Sequence, residues 1–226
     1  MEYTIAMGLE DFLPVIFSGI GLYFVVHMIG RFDKTSGRMA FWGAFLIILG
    51  GVFKASWKLN IAATGQDIVW MADSLFLLLG PGFTLLSWAL FSAQLIMAGK
   101  DIPRMMWLRP LLVIALFVVG ATAASTQGGR TWIYIMLTLT TFANLAVVVL
   151  LIKQSNQQGV KTAAGLFLFN IIAVFALSVM ARMPQTVSFQ WIEQGLQTLS
   201  QGAFAIAAYQ LAQDTARRFN NVPVSS

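Results

Sequence analysis

Two stretches of the chain that resemble each other decide the fold. Residues 43–60 read GAFLIILGGVFKASWKLN, and residues 165–182 read GLFLFNIIAVFALSVMAR. At an offset of 122 positions the two stretches share six residues: Gly43/Gly165, Phe45/Phe167, Leu46/Leu168, Val52/Val174, Phe53/Phe175 and Ser56/Ser178. Residues 70–90 match 191–211 at an offset of 121, and residues 25–37 match 147–159 more weakly at 122. Because three segments keep one order and nearly one offset, the sequence predicts an internal duplication.

The composition is typical of a membrane protein. Hydrophobic residues make up 58% of the 226 residues and charged residues 10%, with a mean hydropathy of +0.77. Soluble domains carry about 25% charged residues, so a soluble chain of this composition would have almost no polar surface. Seven apolar runs of about 20 residues match the length that crosses a bilayer as a helix. Backbone groups in lipid must be satisfied within their own segment, so these runs are expected to be helices.

Missing residue types exclude several kinds of chemistry. The chain has no cysteine, which excludes disulfides, thiolate chemistry and cysteine-ligated metals. With His27 as the single histidine, neither a histidine-rich zinc site nor a bis-histidine haem is expected. The calculated pI of about 9.8 is explained by Lys and Arg residues that orient membrane helices, rather than by nucleic-acid binding. No catalytic motif is present, so nothing points to an enzyme and no cofactor is expected.

The apolar runs predict a single domain of seven transmembrane helices. The N-terminus lacks the basic region and cleavage site of a signal peptide, so the first run is expected to remain as a helix. The predicted helices cover about residues 11–31, 39–59, 66–97, 105–125, 130–153, 161–182 and 188–213. A short basic loop, RFDKTSGR, is expected between the first two helices, and residues 214–226 are expected to form a flexible tail.

The distribution of positive charge predicts the orientation of the chain. If the N-terminus lies outside, ten of the fourteen Lys and Arg residues fall on the opposite side of the membrane. Cytoplasmic loops carry the excess of Lys and Arg in membrane proteins. We therefore expect an N-out, C-in protein with seven spans, located as a multi-pass protein in the bacterial inner (plasma) membrane.

The duplication and the helix count together predict the architecture. Repeat one covers about residues 11–97 and repeat two about 130–213, with a linker helix over about 105–125. A single linker helix makes the two three-helix repeats parallel, related by an axis along the membrane normal. This 3+1+3 plan resembles the SWEET sugar transporters and the PnuC vitamin transporters, and opsins share the N-out, C-in layout.

The resemblance covers the whole chain but is one of architecture alone. The proline tetrad of SWEET helices is absent, since the prolines are Pro14, Pro81, Pro103, Pro110, Pro184 and Pro223. Opsins hold retinal through a lysine in the seventh helix, and the predicted seventh helix here has none. The resemblance to SWEET and PnuC proteins implies the fold of a transporter. The missing lysine argues against a protein that binds retinal covalently.

Polar residues within the apolar helices are the candidate ligand-binding residues. Ionisable groups are costly in a membrane and are by default a functional hypothesis. They predict a polar vestibule in the outer half that binds a small polar or zwitterionic solute, with an aromatic residue deeper in a central cavity. The candidates are Lys54, Asp73, Trp88, Glu193, Gln197 and Gln201.

Each of these side chains also has a purely structural interpretation. Lys54–Asp73 and Lys58–Glu193 can be internal ion pairs that hold the helices in register, or the outer groups can extend to the membrane surface. Trp88 can simply pack in the core. The mid-membrane amides Asn144 and Asn170 are expected to make hydrogen bonds between helices.

The sequence Gly80-Pro81-Gly82 lies in the middle of the third predicted helix. That helix would be about 48 Å long, which is more than an untilted span needs. Proline removes a backbone hydrogen bond and clashes with the preceding turn, so we expect a kink there. Gly80, Pro81 and Gly82 are the candidate hinge of a moving helix, with a packing kink as the alternative.

The leading hypothesis from the sequence is a transporter or permease for a small polar solute, in which two three-helix units rock around a central site. The alternative is a seven-helix sensor or accessory subunit that acts through a partner protein. A third possibility adds a non-covalently bound chromophore or lipid. Membrane lipids are expected partners in every case, and a homo-oligomer or a membrane partner stays open.

Overall fold

A computed structural model gives the protein as a bundle of α-helices. The structure describes residues 4–101, 105–184 and 186–220, and none of these residues lies in a strand. In the described part the helices are α1 Ile5–Glu10, α2 Phe12–Phe32, α3 Lys34–Thr64, α4 Val69–Met97, α5 Leu108–Ser125, α6 Thr131–Gln157, α7 Lys161–Met180 and α8 Val187–Asn220.

Within the described residues, six helical segments are long and apolar enough to cross a membrane. They are α1 together with α2 (Ile5–Phe32), and α3, α4, α5, α6 and α7. The chain is therefore an all-helical, multi-pass membrane protein. The sequence predicted a seventh span over 188–213. The corresponding helix α8 has 34 residues, but its six glutamines make it less apolar than the others.

Helix α8 lies alongside α2 and runs in the same direction. Near its start, Nε2 of Gln194 lies 3.1 Å from the carbonyl oxygen of Met7. Near its end, the ring of Phe219 lies 5.0 Å from the ring of Phe32. A helix of this length extends about 51 Å, so α8 reaches from one end of the bundle to the other.

Six helices form a closed ring in the order α2, α3, α4, α6, α7, α8, and α8 packs back against α2. Helix α5 lies outside the ring against α6 and α4, with only two buried residues among those described. Helices α4 and α6 run in the same direction, because Asp73 contacts Arg130 near their starts and Gln94 contacts Leu150 near their ends. The ring therefore contains two pairs of neighbouring helices that run parallel, α2 with α8 and α4 with α6.

The predicted loop RFDKTSGR is mostly helical. Helix α2 ends at Phe32 and α3 begins at Lys34, so only Asp33 separates them. Oδ2 of Asp33 accepts hydrogen bonds from the backbone N of Ser36 at 2.6 Å and from its Oγ at 2.9 Å. An aspartate at this position satisfies the free N–H groups of a helix start. The cap therefore lets α3 begin five residues before the prediction.

The predicted flexible tail begins too early, because α8 continues to Asn220. Thr215 is buried, and its Oγ1 donates to Oε1 of Gln158 at 3.0 Å. Nη2 of Arg218 donates to the carbonyl oxygen of Gln158 at 2.5 Å. These contacts hold the end of α8 against the connection between α6 and α7. The remainder of the predicted tail, 221–226, lies outside the described residues, as do residues 102–104 of the loop before the linker helix.

Helix α4 continues through Pro81, and the kink expected there stays a prediction. A Cβ atom at Gly82 would lie 2.9 Å from the carbonyl oxygen of Gly43, and one at Gly43 would lie 2.7 Å from that of Gly82. On the other side, a Cβ at Gly80 would lie 3.2 Å from Cδ2 of Leu139. The two glycines thus let α4 approach α3 and α6 closely, as small residues do in membrane helix pairs.

The main core occupies one end of the ring, where α2 ends and α3 begins. We call this the Asp33 end, and the opposite end, where α2 begins, the Asp11 end. The fully buried side chains of this core come from the ends of α2, α4, α6 and α8 and the starts of α3 and α7: they include Met28, Ile29, Met39, Leu90, Leu151, Phe167 and Leu211. The core at the Asp33 end is therefore densely packed; an open groove of about 520 Å³ lies there between the end of α2 and the start of α3, whereas the two cavities inside the ring lie toward the Asp11 end.

Candidate functional site

Two adjoining cavities lie inside the ring of helices. The Lys54 cavity, between α2, α3, α4 and α8, has a volume of about 380 Å³ and is named after the lysine that lines it. The Asn144 cavity, between α2, α4, α6, α7 and α8, has a volume of about 300 Å³ and is named after Asn144 of α6. Ser18, Leu79, Phe83 and Gln201 line both cavities. The two cavities therefore meet near the middle of the bundle.

Five polar side chains that line the cavities make no hydrogen bond to any residue in the described part of the chain. They come from four different helices of the ring: Ser18, Lys54, Asn144, Gln197 and Gln201. Their polar atoms are not among the fully buried atoms that lack a hydrogen bond, and Gln197 is an exposed residue, so these groups face open space. Polar groups left free around a cavity of this size indicate that water or a solute provides their partners.

Other polar side chains in the same region have protein partners. Nδ2 of Asn170 donates to Oγ of Ser200 at 2.9 Å and to its carbonyl oxygen at 3.1 Å, which joins α7 to α8. The expected interhelical hydrogen bond is thus confirmed for Asn170. The other mid-membrane amide, Asn144, lines a cavity instead. The region therefore contains two kinds of polar side chain. Some, such as Asn170, bond one helix to another, and others, such as Asn144, face a cavity.

The charged residues at the Asp11 end form pairs that the sequence did not predict. Nζ of Lys58 lies 2.8 Å from Oδ2 of Asp11, and Oδ1 of Asp11 accepts from Nε2 of Gln194 at 2.9 Å. Nη2 of Arg130 lies 3.1 Å from Oδ1 of Asp73. Asp73 thus pairs with the start of α6, its neighbour in the ring.

The expected pair between Lys54 and Asp73 is not formed within the described residues. The ammonium Nζ of Lys54 instead lies 3.8 Å from the ring centroid of Trp57, one turn later in α3. An ammonium over an indole ring is held by cation–π attraction. Lys54 is therefore positioned by an aromatic ring and not by a carboxylate.

Helix α1 covers the Asp11 end of the ring and contacts α2, α3 and α8. Met7 is fully buried there, and a Cβ at Gly8 would lie 2.7 Å from Cα of Leu59. Oε1 of Glu10 accepts from Oγ1 of Thr198 at 2.5 Å. The sequence placed the start of the first helix at about residue 11, but Ile5–Glu10 already form α1, which packs tightly over the bundle.

The six candidate ligand-binding residues fall into two groups. Lys54, Gln197 and Gln201 line the Lys54 cavity. The other three are not part of either cavity lining in the described structure: Asp73 pairs with Arg130, Glu193 is half-buried in the second turn of α8, and Trp88 packs against the main core with its ring 6.2 Å from that of Phe91.

Sequence reasoning missed Asp11 and Ser18 and gave Asn144 a different role. Asp11 comes just before the first apolar run, where an acidic residue has many uses, and nothing in the sequence connects it with Lys58. Ser18 is a single small polar residue in an apolar helix, which carries no periodic signal. Asn144 did carry a signal, as a lone amide deep in a span, but a hydrogen bond between helices produces the same signal.

Among the described residues, no group of three or more His, Asp and Glu side chains could hold a metal ion. Among the described side chains that line the two cavities, those without a hydrogen bond supply one ammonium, three amides and one hydroxyl, which together can bind an organic solute through hydrogen bonds and charge. No protein family, curated protein or solved structure gives a significant match to the chain.

Proposed function

We propose that the protein is a transporter or permease of the bacterial inner (plasma) membrane, and that it moves a small polar solute through the centre of its helix ring. The observation that carries this proposal is the set of uncommitted polar side chains around the two adjoining cavities. Polar and ionisable groups within membrane helices are rare and mark functional sites, so their convergence on open space is best explained by a solute site.

The order of helices in the ring supports the duplicated architecture expected from the sequence. If α2, α3 and α4 form repeat one and α6, α7 and α8 form repeat two, exchanging the repeats maps the ring onto itself. The parallel neighbours α4/α6 and α8/α2 then correspond to each other. In this proposal α8 is the seventh span, the chain is N-out and C-in, and α5 is the linker helix.

The position of the cavities also supports transport. In transporters built from repeats, the substrate site lies near the middle of the membrane at the interface between the repeats. Ser18 and Gln201 line both cavities where they meet. The dense Asp33 end and the cavities nearer the Asp11 end fit one state of an alternating-access cycle, in which the solute enters from the Asp11 end.

Gly80, Pro81 and Gly82 are the hinge in this proposal. Pro81 has no N–H, so the carbonyl oxygen of Leu77 lacks its usual helical hydrogen bond. A helix bends most easily at such a point. Because Gly80 packs on α6 and Gly82 packs on α3, bending of α4 there would move repeat one relative to the start of repeat two.

Osmotic swelling of reconstituted vesicles tests the proposal across several chemical classes of solute. Vesicles with and without the protein are placed in isotonic potassium lactate with valinomycin, lactamide, glycine, glycerol or choline thiocyanate, so that each ionic solute has a permeant counter-ion, and light scattering records solute entry. We expect protein-dependent swelling with at least one solute. The variant Gln201→Leu should abolish it, whereas Gln213→Leu, the same change on an exposed part of α8, should not.

Swelling equal to that of protein-free vesicles for all five solutes would refute the transport proposal. Stabilisation of the purified protein by a solute that causes no swelling would favour the alternative of a sensor or accessory subunit. In that case a separate partner protein would have to carry the output.

A further inference from the structure

The charges around the Lys54 cavity do not balance. Two ion pairs lie at the same end of the bundle as Lys54: Lys58 with Asp11, and Arg130 with Asp73. Both carboxylates are already engaged, since Asp11 lies 2.8 Å from Lys58 and Asp73 lies 3.1 Å from Arg130. Within the described residues the ammonium of Lys54 therefore remains without a carboxylate partner.

The side chains that line the Lys54 cavity carry an excess of positive charge. Among the residues that the structure describes, the charged residues of the lining are Asp11, Lys54 and Lys58, which sum to one positive charge. The indole of Trp57 holds the ammonium of Lys54 in place at 3.8 Å, but a neutral ring supplies no counter-charge. A charge in a partly buried, largely apolar site is unfavourable unless an opposite charge joins it.

We infer that the solute is a small monocarboxylate whose carboxylate group pairs with Lys54; this inference rests on the transport proposal above. The observation behind it is the uncompensated ammonium beside two free amides. Gln197 and Gln201 lie four positions apart on α8, so they share one face of that helix, and both line the Lys54 cavity. Their N–H groups supply the hydrogen bonds that a carboxylate accepts.

Charge and size narrow the class of solute. A zwitterion or a neutral solute would leave the positive charge of the lining in place, and a dianion would exceed it. Ser18 and Asn144 lie further in and provide a hydroxyl and an amide. Most of the remaining lining is apolar, as at Ile47 and Phe83. These groups suit a short carboxylic acid that carries one hydroxyl or similar polar substituent.

Lactate and lactamide are the two probes that test the inference. They share size and hydroxyl group, and they differ in that only lactate carries a negative charge. Sodium lactate, lactamide, glycine and choline chloride are added at equal ionic strength to the detergent-purified full chain, and the shift in unfolding temperature is recorded. We expect lactate to stabilise the wild-type protein with an affinity at least about tenfold greater than that of lactamide.

Two variants test the role of Lys54. Lys54→Gln should weaken lactate binding about tenfold or more, because the carboxylate loses its charged partner. Arg182→Gln removes the same charge just after the end of α7, from an exposed residue outside the lining of both cavities. It should leave lactate binding unchanged. Lys54→Arg, which keeps the charge, should retain most of the affinity.

The possible results separate the two proposals. If lactamide, glycine or choline binds in a manner that depends on Gln201 and lactate does not, the solute site stands and the carboxylate inference is overturned. If Lys54→Gln keeps full lactate affinity, Lys54 is not the counter-charge and the inference is also overturned. If no probe binds or causes vesicle swelling, both proposals fail. The comparison of lactate with lactamide uses wild-type protein, so it decides the matter even if Lys54→Gln does not fold.

Discussion

Nζ of Lys58 lies 2.8 Å from Oδ2 of Asp11, and the two residues are 47 positions apart in the chain. Their side chains are only 16% and 14% exposed. The pair joins the end of α3 to the start of α2 at the mouth of the Lys54 cavity. Because this contact engages both charges, it leaves Lys54 as the cation that faces the cavity without a carboxylate among the described residues.

Removing one charge of this pair should destabilise the protein. Lys58→Met leaves the carboxylate of Asp11 partly buried without its cation, and we expect the free energy of unfolding to fall by about 1–3 kcal/mol. The double variant Lys58→Met/Asp11→Asn should recover part of that loss. Unfolding in mixed detergent micelles measures all three changes.

The exposed pair of Arg218 and Asp214, at 2.6 Å on α8, provides the control. Asp214→Asn should change stability by no more than about 0.5 kcal/mol, since exposed pairs within a helix contribute little. If the two changes at Lys58 and Asp11 were simply additive, the contact between them would contribute nothing to stability.

The close approach of α3 and α4 should make Gly43 intolerant of any side chain. Gly43→Ala places a methyl group 2.7 Å from the carbonyl oxygen of Gly82, and backbone atoms cannot yield cheaply. We expect a loss of about 1–3 kcal/mol in the same unfolding assay. At Gly165, the position that the proposed duplication makes equivalent to Gly43, a Cβ atom would meet no heavy atom within 4 Å among its described surroundings.

Gly165→Ala is therefore a matched control for Gly43→Ala. Glycine in a helix is less favourable than alanine by about 0.5–1 kcal/mol, so Gly165→Ala should be neutral or slightly stabilising. Equal losses at both positions would mean that the helix contact at Gly43 is not the cause.

The two mid-membrane asparagines should behave differently on replacement by alanine. Asn170→Ala removes the hydrogen bonds to Ser200, which join α7 and α8. Such bonds contribute about 0.6–2 kcal/mol in membrane proteins, and stability should fall by that amount or more. Asn144→Ala removes no protein hydrogen bond in the described structure, so its effect should stay below about 0.5 kcal/mol.

Vesicle swelling gives the second readout for the asparagines. Asn144→Ala should slow solute entry, because Asn144 lines a cavity, and Asn170→Ala should affect entry only as far as it affects folding. The reverse pattern, with Asn144 needed for stability and not for entry, would contradict the assignment of the Asn144 cavity as part of the solute path.

The proposed topology can be mapped with single cysteines, since the chain has none. Thr126 and Ser188 are exposed at the Asp11 end, and Gln157 and Asn220 are exposed at the Asp33 end. Cysteines at Thr126 and Ser188 should react with a membrane-impermeant maleimide in intact cells. Those at Gln157 and Asn220 should react only after the membrane is opened. Labelling of Ser188→Cys and Asn220→Cys from one side would show that α8 does not cross the membrane.

Most of the helices could be predicted from the sequence, because a bilayer demands long apolar segments whose backbone groups bond internally. The errors lie at helix ends. Polar residues such as those of the stretch 33–38 look like a loop by composition, yet the side chain of Asp33 caps α3 and keeps them helical. Likewise α8 continues past residue 214 because Thr215 and Arg218 bond to Gln158.

The candidate site could be predicted in part. Lys54, Gln197 and Gln201 stood out because polar groups are costly in lipid and rarely occur there without a reason. Their cost does not tell which of them face a cavity and which have protein partners. Asp73 was equally conspicuous in the sequence, but it is engaged by Arg130 at the start of α6.

The sequence by itself determined that this is a helical membrane protein, and it singled out the few polar residues that its helices carry. The composition and the length of the apolar runs decide that class, and both can be read from the chain without knowing which residues contact each other in space. Only the tertiary structure decided the order of the helices in the ring, the two cavities and the partners of the charges. Those depend on which helix faces which, and ion pairs such as Lys58–Asp11 form between residues that only the closed ring brings together.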